Sequence, residues 1–281
     1  MNESIIIQSL LVMGTTSVVI GMLLSVAAKK FKVEEDPLKE QIVLVLPGVN
    51  CGACGYPGCE QYAEAILKDS VEITLCKPGG PDVSKKIANI LGKEVENLQR
   101  TVAVVLCKGG NFAKDEFIYK GIKRCDIADK YFDGQKMCKY GCLGFGDCVE
   151  VCPFDAIFIK NNVAEVDPLK CTGCGLCVRV CPNKLIKLVP CNYYVHILCS
   201  SKDKGIVVRQ ICSVGCIGCG ICVKSCPVSD IYLEENLAIM KYTNCNNCGV
   251  CKLKCPTKSI DSKFPLEKKK EIEKFQLTIE K

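Results

Sequence analysis

The chain contains no tryptophan, a single histidine, and only 9 phenylalanines and 9 tyrosines among 281 residues. It offers little aromatic volume for a large core. No G-x-G-x-x-G run follows a strand and opens a helix, and no Walker A run is present. The glycines of "GCLGFG" (141–146) alternate with cysteine and apolar residues instead. We therefore expect no nucleotide site built on either motif in this chain.

Cysteine is abundant, with 25 residues. Such density is typical of small disulfide scaffolds or of chains that hold metal clusters, and this chain is too long for the first class. Its cysteines recur in short C-x-x-C runs, which favour metal ligation over bridging of distant segments. The sequence therefore predicts 4Fe-4S clusters in a reducing, cytoplasmic compartment, where each cluster ties backbone points together in place of apolar packing.

The formal net charge is +6 when cysteines are counted as neutral. A cubane with four thiolates is anionic, so several clusters would offset this excess. The basic balance is therefore weak support for nucleic acid, and we expect no nucleic-acid partner. It fits a docking face for an acidic redox partner.

The N-terminal stretch 5–28 carries no charged residue. At helical rise it would cover about 36 Å, enough for a hydrocarbon core of about 30 Å. Lys29, Lys30 and Lys32 follow it, whereas only Glu3 precedes it, which predicts a single-pass anchor in the cell membrane with the later domains in the cytoplasm. A cleaved signal peptide is disfavoured because no basic region precedes the apolar run.

A first cluster module is predicted next to the membrane. Pro37 is expected to open a helix that runs to Pro47, a second helix is expected around 82–98, and "TVAVVLC" (101–107) is expected to be a strand. Between them lies a C-x2-C-x4-C-x16-C pattern, enough for one 4Fe-4S cluster, with zinc as the alternative. Its cysteines are Cys51, Cys54, Cys59 and Cys76.

The rest of the chain contains an internal repeat with an offset of 74 residues. Each copy carries two cysteine runs that end in Cys-Pro, separated by a strand, a turn and a strand. In the first copy the aligned cysteines are Cys138, Cys142, Cys148, Cys152, Cys171, Cys174, Cys177 and Cys181, and in the second they are Cys212, Cys216, Cys222, Cys226, Cys245, Cys248, Cys251 and Cys255.

This is the layout of two-cluster bacterial ferredoxins, in which the fourth cysteine of each run ligates the other cluster. The rule predicts three ligand sets. They are Cys171, Cys174, Cys177 and Cys152; Cys216, Cys219, Cys222 and Cys255; and Cys245, Cys248, Cys251 and Cys226.

A fourth set needs Cys142, Cys148 and Cys181, but Phe145 stands where its remaining cysteine belongs. We expect Cys138, the nearby candidate, to supply the missing ligand, with Cys212 as its unused counterpart. The alternative is that this copy holds a three-iron cluster.

Five cysteines are left over, and they can be ordinary core residues. The alternative is a sixth cluster held by Cys107, Cys125, Cys199 and Cys212, which would leave Cys191 unused. His196 is expected to have a structural role, because each proposed cluster already has four sulfurs.

The predicted fold class is α+β: an N-terminal transmembrane helix, a small helical 4Fe-4S module and two tandem two-cluster ferredoxin units. The predicted segments are an anchor and basic flank at 1–32, the membrane-proximal module at 33–98, a connecting strand region at 99–130, ferredoxin units at 131–190 and 191–262, and a charged tail at 263–281. The tail is expected to be a solvated helix, with a lipid or partner contact as the alternative.

The order of anchor, C-x2-C-x4-C-x16-C module and tandem ferredoxin motifs resembles the B subunits of the Rnf complexes, the ion-translocating ferredoxin:NAD+ oxidoreductases of bacterial membranes. The stretch "GVNCGACGYPGCEQYAEAI" (48–66) is the most specific part of the resemblance, which extends to about residue 260. The resemblance implies a translocase subunit that takes electrons from reduced ferredoxin and passes them to flavin-bearing partner subunits that reduce NAD+. Family members often carry one two-cluster unit, whereas this chain has two.

Other functions remain open from the residues alone. A membrane-tethered polyferredoxin or redox sensor would need the same clusters without a serial path, and a structural zinc protein would use the same thiols. None of these functions places a substrate-transforming site in this chain.

Overall fold

The computed structural model describes residues 3–30, 36–95, 98–131 and 133–262. The basic-flank residue Lys32 and the predicted tail at 263–281 lie outside these residues. The helices are α1 Glu3–Lys30, α2 Pro37–Val45, α3 Cys59–Leu67, α4 Gly80–Leu91, α5 Cys125–Asp129, α6 Asp147–Glu150, α7 Leu176–Val180, α8 Gly205–Ile211, α9 Ile221–Lys224 and α10 Val250–Leu253. The strands are β1 Thr101–Val105, β2 Ile157–Lys160, β3 Val163–Val166, β4 Ile186–Pro190, β5 Val195–Ile197, β6 Ile231–Glu234, β7 Leu237–Met240 and β8 Ile260–Ser262.

Helix α1 is the predicted apolar segment. Within the described ranges it is the helix long and apolar enough to cross a membrane, from Ile7 to Ala27. Its apolar side chains are exposed, as those of Leu10, Met13 and Leu23 illustrate. An exposed helix that carries no charge from Ile7 to Ala27 is suited to a lipid environment.

Helices α2, α3 and α4 form the membrane-proximal module. Asp36 caps α2 by accepting a hydrogen bond from the Leu38 amide at 2.9 Å, and Pro37 occupies its first turn, as predicted. The module packs around buried Ile42, Tyr62 and Ile87. Its last helix ends earlier than the predicted 82–98, because Gly92 adopts a left-handed conformation (φ 64°) that stops the helix.

The two repeats have the same strand arrangement. The hairpins β2–β3 and β6–β7 are in equivalent register, since Ile157 pairs with Val166 and Ile231 pairs with Met240. Each unit also has an outer pair of antiparallel strands, β1 with β4 in the first and β5 with β8 in the second. The described strands therefore form four two-stranded sheets, two in each repeat.

Strand β1 belongs to the predicted connecting region at 99–130, yet it pairs along its whole length with β4 of the first ferredoxin unit. Its buried residues Val102, Ala103 and Val104 enter the same core as Ile157 and Ile186. The connecting region therefore contributes an outer strand to that unit.

Glycines in the cluster loops let the backbone pass close to the hairpins. Gly144 has φ 81°, and a Cβ atom on it would lie 2.8 Å from the carbonyl oxygen of Asn162 in the β2–β3 turn. Gly218 in the second unit has φ 65°, and a Cβ atom on it would lie 2.6 Å from the carbonyl oxygen of Asn236. A larger residue at either position would push the cysteine loop off its hairpin.

Candidate iron–sulfur sites

The four cysteines of the first module lie together, on the loop before α3, at its start and after it. Burial raises the pKa of the Cys76 thiol, and the neighbouring thiols of Cys59, Cys54 and Cys51 add to the rise. Asn50 accepts a hydrogen bond from the Cys59 amide at 2.8 Å and so fixes the start of α3 against the loop. The structure thus brings the predicted first ligand set to one place.

In the ferredoxin units, each predicted crossover set takes three thiols from one cysteine run and the fourth from the other run. Two of these crossover sets line cavities. One cavity, with about 300 Å³ of free space, is lined by Cys152, Cys171, Cys174 and Cys177. Another, of about 310 Å³, is lined by Cys226, Cys245, Cys248 and Cys251. In both, one thiol comes from the other Cys-Pro run of the unit, as the ferredoxin rule predicts.

The third crossover set lies around α9. Burial raises the pKa of the Cys222 thiol to about 11, together with the neighbouring thiols of Cys216, Cys219 and Cys255. The structure therefore gathers the predicted cysteines here too.

The set that lacks a cysteine at Phe145 differs from our expectation. Its cavity, of about 420 Å³, is lined by Cys142, Cys148, Cys181 and Cys125, and Cys138 is not among its lining residues. Burial raises the pKa of Cys148 to about 12, and the thiols of Cys142 and Cys125 add to the rise. Cys125, and not Cys138, therefore lies where the missing ligand belongs.

Helix α5 brings Cys125 to this position. The buried carboxylate of Asp147 accepts hydrogen bonds from the amides of Cys125 at 2.8 Å and Asp126 at 3.2 Å, which anchors the start of α5 on α6. Burial raises the pKa of Cys125, and hydrogen bonds from the backbone of Phe145 and Gly146 oppose the rise. The Cys125 sulfur thus lies against the backbone of the residue that replaces the cysteine.

The Phe145 ring does not occupy the position of the missing cysteine sulfur. It packs against Tyr119, with ring centroids 5.4 Å apart. Tyr119 precedes α5 in the segment between β1 and the first cysteine run, so the phenylalanine helps to hold the segment that delivers Cys125.

Cys138 lines a different cavity, of about 450 Å³, with Cys107, Cys199 and Cys212. Both the predicted role of Cys138 and the predicted membership of Cys125 in an extra set therefore need correction: the two cysteines exchange places. Cys212, expected to be an unused counterpart of Cys138, lines this cavity beside it.

The cavities suit a multi-atom cluster. In the described ranges, no three His, Cys, Asp or Glu side chains converge closely enough to hold a single metal ion. Around the void of Cys171, the hydroxyl oxygen of Thr172 is buried and has no protein hydrogen-bond partner. The amide of Ala103 donates to the Cys171 sulfur at 3.3 Å, the kind of bond that stabilises cluster thiolates. The donor set and its hydrogen bonds fit 4Fe-4S cubanes.

Neighbouring cysteine sets approach each other through particular thiols. Cys51 acts on the pKa of Cys174, which joins the membrane-proximal set to the first ferredoxin unit. Within the units, the Cys177 thiol adds to the raised pKa of Cys148, and the Cys222 thiol adds to that of Cys251. Each of these pairs has one thiol from each of two adjacent sets.

His196 lies in β5. It is 2% exposed, and its Nδ1 is 3.1 Å from the Tyr242 hydroxyl, which agrees with the structural role expected from the sequence.

An anchor-bearing chain with several ferredoxin-type cysteine sets in contact is an iron–sulfur electron-transfer protein. Family models support this class: an Fe-S cluster family matches residues 46–78, and 4Fe-4S binding domain families match residues 164–187, residues 142–156 with 216–231, and residues 242–258. The chain therefore carries several 4Fe-4S binding domains.

Curated relatives define the family. The chain is 38% identical over 245 residues to the B subunit of the ion-translocating oxidoreductase complex of Methanosarcina acetivorans, covering 86% of this chain and 93% of that one. It is 45% identical to the B subunit of the proton-translocating ferredoxin:NAD(+) oxidoreductase complex of Clostridium ljungdahlii, covering 85% and 86%. It is 41% identical to the Na(+)-translocating counterpart of Acetobacterium woodii, covering 83% and 71%.

The chain belongs to this family, the B subunits of ion-translocating oxidoreductase (Rnf) complexes. It is an electron-transfer subunit of such a complex, it works with the other subunits, and its N-terminal helix attaches it to the membrane.

Proposed function

We propose that this subunit accepts electrons from reduced ferredoxin and relays them to partner subunits that bear flavins and reduce NAD+, while the complex moves Na+ or H+. The observation that carries the proposal is the proximity of neighbouring cysteine sets, beginning with Cys51 and Cys174. The names of two relatives, which specify ferredoxin and NAD(+), support the donor and the acceptor.

Five ligand sets follow from the thiols that lie together. They are Cys51, Cys54, Cys59 and Cys76; Cys152, Cys171, Cys174 and Cys177; Cys125, Cys142, Cys148 and Cys181; Cys216, Cys219, Cys222 and Cys255; and Cys226, Cys245, Cys248 and Cys251. When bound, each 4Fe-4S cluster supplies one-electron transfer with little rearrangement. The protein holds the thiolates, covers them from water and tunes them with amide hydrogen bonds.

The proposed segments are those predicted from the sequence, with the strand region 99–130 completing the first ferredoxin unit through β1. Lys29 and Lys30 at the end of α1 favour a cytoplasmic position for everything that follows. A ferredoxin donor and NAD+ are both soluble, which suits this orientation.

The alternative is a membrane-tethered polyferredoxin or redox sensor that works outside an ion pump. It has the same ligand sets but needs no electron path from one end of the chain to the other. The proximity of the membrane-proximal set to the two sets of the first ferredoxin unit, one after another, favours the relay.

The two functions differ in what happens when the series is interrupted. We would prepare membranes with the whole complex and measure NAD+ reduction driven by reduced ferredoxin. Cys174→Ala removes a thiol between the membrane-proximal set and the first ferredoxin unit, whereas Cys191→Ala removes an exposed thiol outside all five sets. We expect the first variant to lose most of the rate and the second to keep it.

Assembly is checked in the same membranes by purifying the complex through this protein. A chain that purifies without membrane-embedded and flavin subunits, or a Cys174→Ala complex that assembles and keeps the full rate, would contradict the proposal.

A further inference from the structure

We propose that Cys107, Cys138, Cys199 and Cys212 hold a sixth 4Fe-4S cluster, which joins the two ferredoxin units. None of these cysteines lies within a matched family segment. The inference rests on the proposed relay and extends it by one site.

The four thiols line one cavity, together with Gly109 and Gly141. Cys138 and Cys212 are buried there, and Cys107 and Cys199 are half-buried. Cysteine sets of the ferredoxin units line cavities in the same way.

The two units contribute equivalent pairs. Cys107 follows β1 and Cys199 follows β5, and each comes two residues after the strand residue, Val105 or Ile197, that pairs with an isoleucine at the start of β4 or β8. Cys138 and Cys212 are related by the repeat offset of 74. The two units therefore contribute equivalent cysteines to one cavity.

Equivalent backbone groups lie against the sulfurs of Cys107 and Cys199 in the two units. The Cys107 sulfur accepts hydrogen bonds from the Gly109 amide at 3.4 Å and the Cys142 amide at 3.5 Å. The thiol of Cys199 meets the backbone of Ser201, likewise two residues on, and of Cys216, the repeat equivalent of Cys142. Amide hydrogen bonds to sulfur are a means by which proteins stabilise cluster thiolates.

Main-chain contacts hold the two halves together. Ser200 donates a hydrogen bond to the Leu106 carbonyl at 2.9 Å, and Lys114 donates its amide to the Ile211 carbonyl at 2.8 Å. Gly109 leaves the space between the halves open: a Cβ atom there would lie 3.5 Å from the Cys107 sulfur and 3.8 Å from the Cys212 sulfur.

A buried cation faces this site. The side chain of Lys136 is 3% exposed, donates hydrogen bonds to the carbonyls of Gly110 and Ala113, and pairs with Asp115 at 2.7 Å. Its charge acts on Cys212. A buried ammonium is well placed beside a group that becomes anionic when four thiolates ligate iron.

The position completes the series of contacting sets. Cys107 touches Cys142 of the first unit, and Cys199 touches Cys216 of the second. A cluster held by Cys107, Cys138, Cys199 and Cys212 would supply a one-electron site between the Cys142 set and the Cys216 set, with no bond made or broken. The two ferredoxin units would then lie on one path.

The test counts iron on the full-length chain, reconstituted anaerobically in detergent. Six clusters give about 24 iron atoms per chain and five give about 20. We expect about 24 for the wild type, a loss of about four in Cys199→Ala, and no loss in Cys191→Ala, whose thiol is exposed. A wild-type content near 20 that Cys199→Ala leaves unchanged would overturn the sixth site and leave the proposed relay standing.

Native mass spectrometry of the wild-type chain gives a second measurement that needs no variant, in case Cys199→Ala does not fold. Chains with six clusters support the site, and chains that never exceed five refute it. A folded chain with zinc or with almost no iron would instead refute the iron–sulfur function itself, so the two failures are distinguishable.

Discussion

The Asp147 carboxylate accepts a hydrogen bond from the Cys125 amide at 2.8 Å, although the two residues are 22 positions apart in the chain. This bond helps to place Cys125 against the backbone of Phe145. Position 145 corresponds to Cys219 in the second ferredoxin unit. The first unit therefore keeps four thiols around its cavity without the usual cysteine, which disfavours a three-iron cluster there.

Cys125→Ala is expected to remove one cluster, because it removes a thiol that lines the Cys142 cavity. The double variant Cys125→Ala with Phe145→Cys should restore it, because position 145 is the ferredoxin ligand position. Iron content and the EPR spectrum of the reduced chain would show both effects. A Cys125→Ala chain with unchanged iron would contradict the assignment.

Asp147→Ala is expected to destabilise α5, because two backbone amides lose their buried acceptor, at a cost of about 1–3 kcal/mol. We expect the cluster at this set to bleach faster in air, measured by the visible absorbance. Glu150→Ala, an exposed residue of the same helix α6, is the matched control and should bleach at the wild-type rate.

Asp261→Asn is expected to weaken the contact between the units, because its carboxylate binds Lys108 of the first unit at 2.6 Å and Lys252 at 3.0 Å. Burial opposes ionisation of Asp261, but hydrogen bonds from the two lysines outweigh it and lower the pKa to about 2. An unfolded Asp titrates near pH 3.9, so the stabilisation is present above about pH 5 and is lost as the pH falls toward 2.

At pH 7 we expect Asp261→Asn to lower the free energy of unfolding by about 2 kcal/mol, reduced somewhat by solvent screening. Anaerobic urea denaturation would measure it. Glu235→Gln, which breaks the exposed pair with Lys202, is the control and should cost under about 0.5 kcal/mol. The difference in the free energy of unfolding between wild type and Asp261→Asn should shrink as the pH falls from 5 to 3. A difference that grows over this range would contradict the prediction.

Lys136→Met is expected to make the potential of the sixth site more negative, because a buried positive charge favours the reduced, more anionic state. Redox titration followed by EPR would show one component shifted and the others unmoved. Lys139→Met removes an exposed charge three residues away and should shift nothing measurable. Identical titrations for both variants would argue against a cluster beside Lys136.

Much of this architecture is local in the sequence. The hairpins, the crossover sets and the anchor follow from short spacings, alternation and one apolar run, so the sequence predicts them well. The position of Cys125 does not follow in this way. It depends on a contact with Asp147 across a segment of irregular length, and the offset of 74 aligned Cys125 with Cys199 although strand pairing makes Cys107 the true equivalent. The spacing of cysteines indicates local geometry and gives no information about such tertiary contacts.

The pairing of β5 with β8 has a consequence for biosynthesis. Strand β8 runs from Ile260 to Ser262, so the second unit cannot close until these residues have left the ribosome, well after β5 has been made. Cys255 emerges late as well, although its partners Cys216, Cys219 and Cys222 are made earlier. The nascent chain therefore exposes the Cys216, Cys219 and Cys222 thiols during this interval, and a four-thiol cluster at this set must wait until Cys255 has emerged.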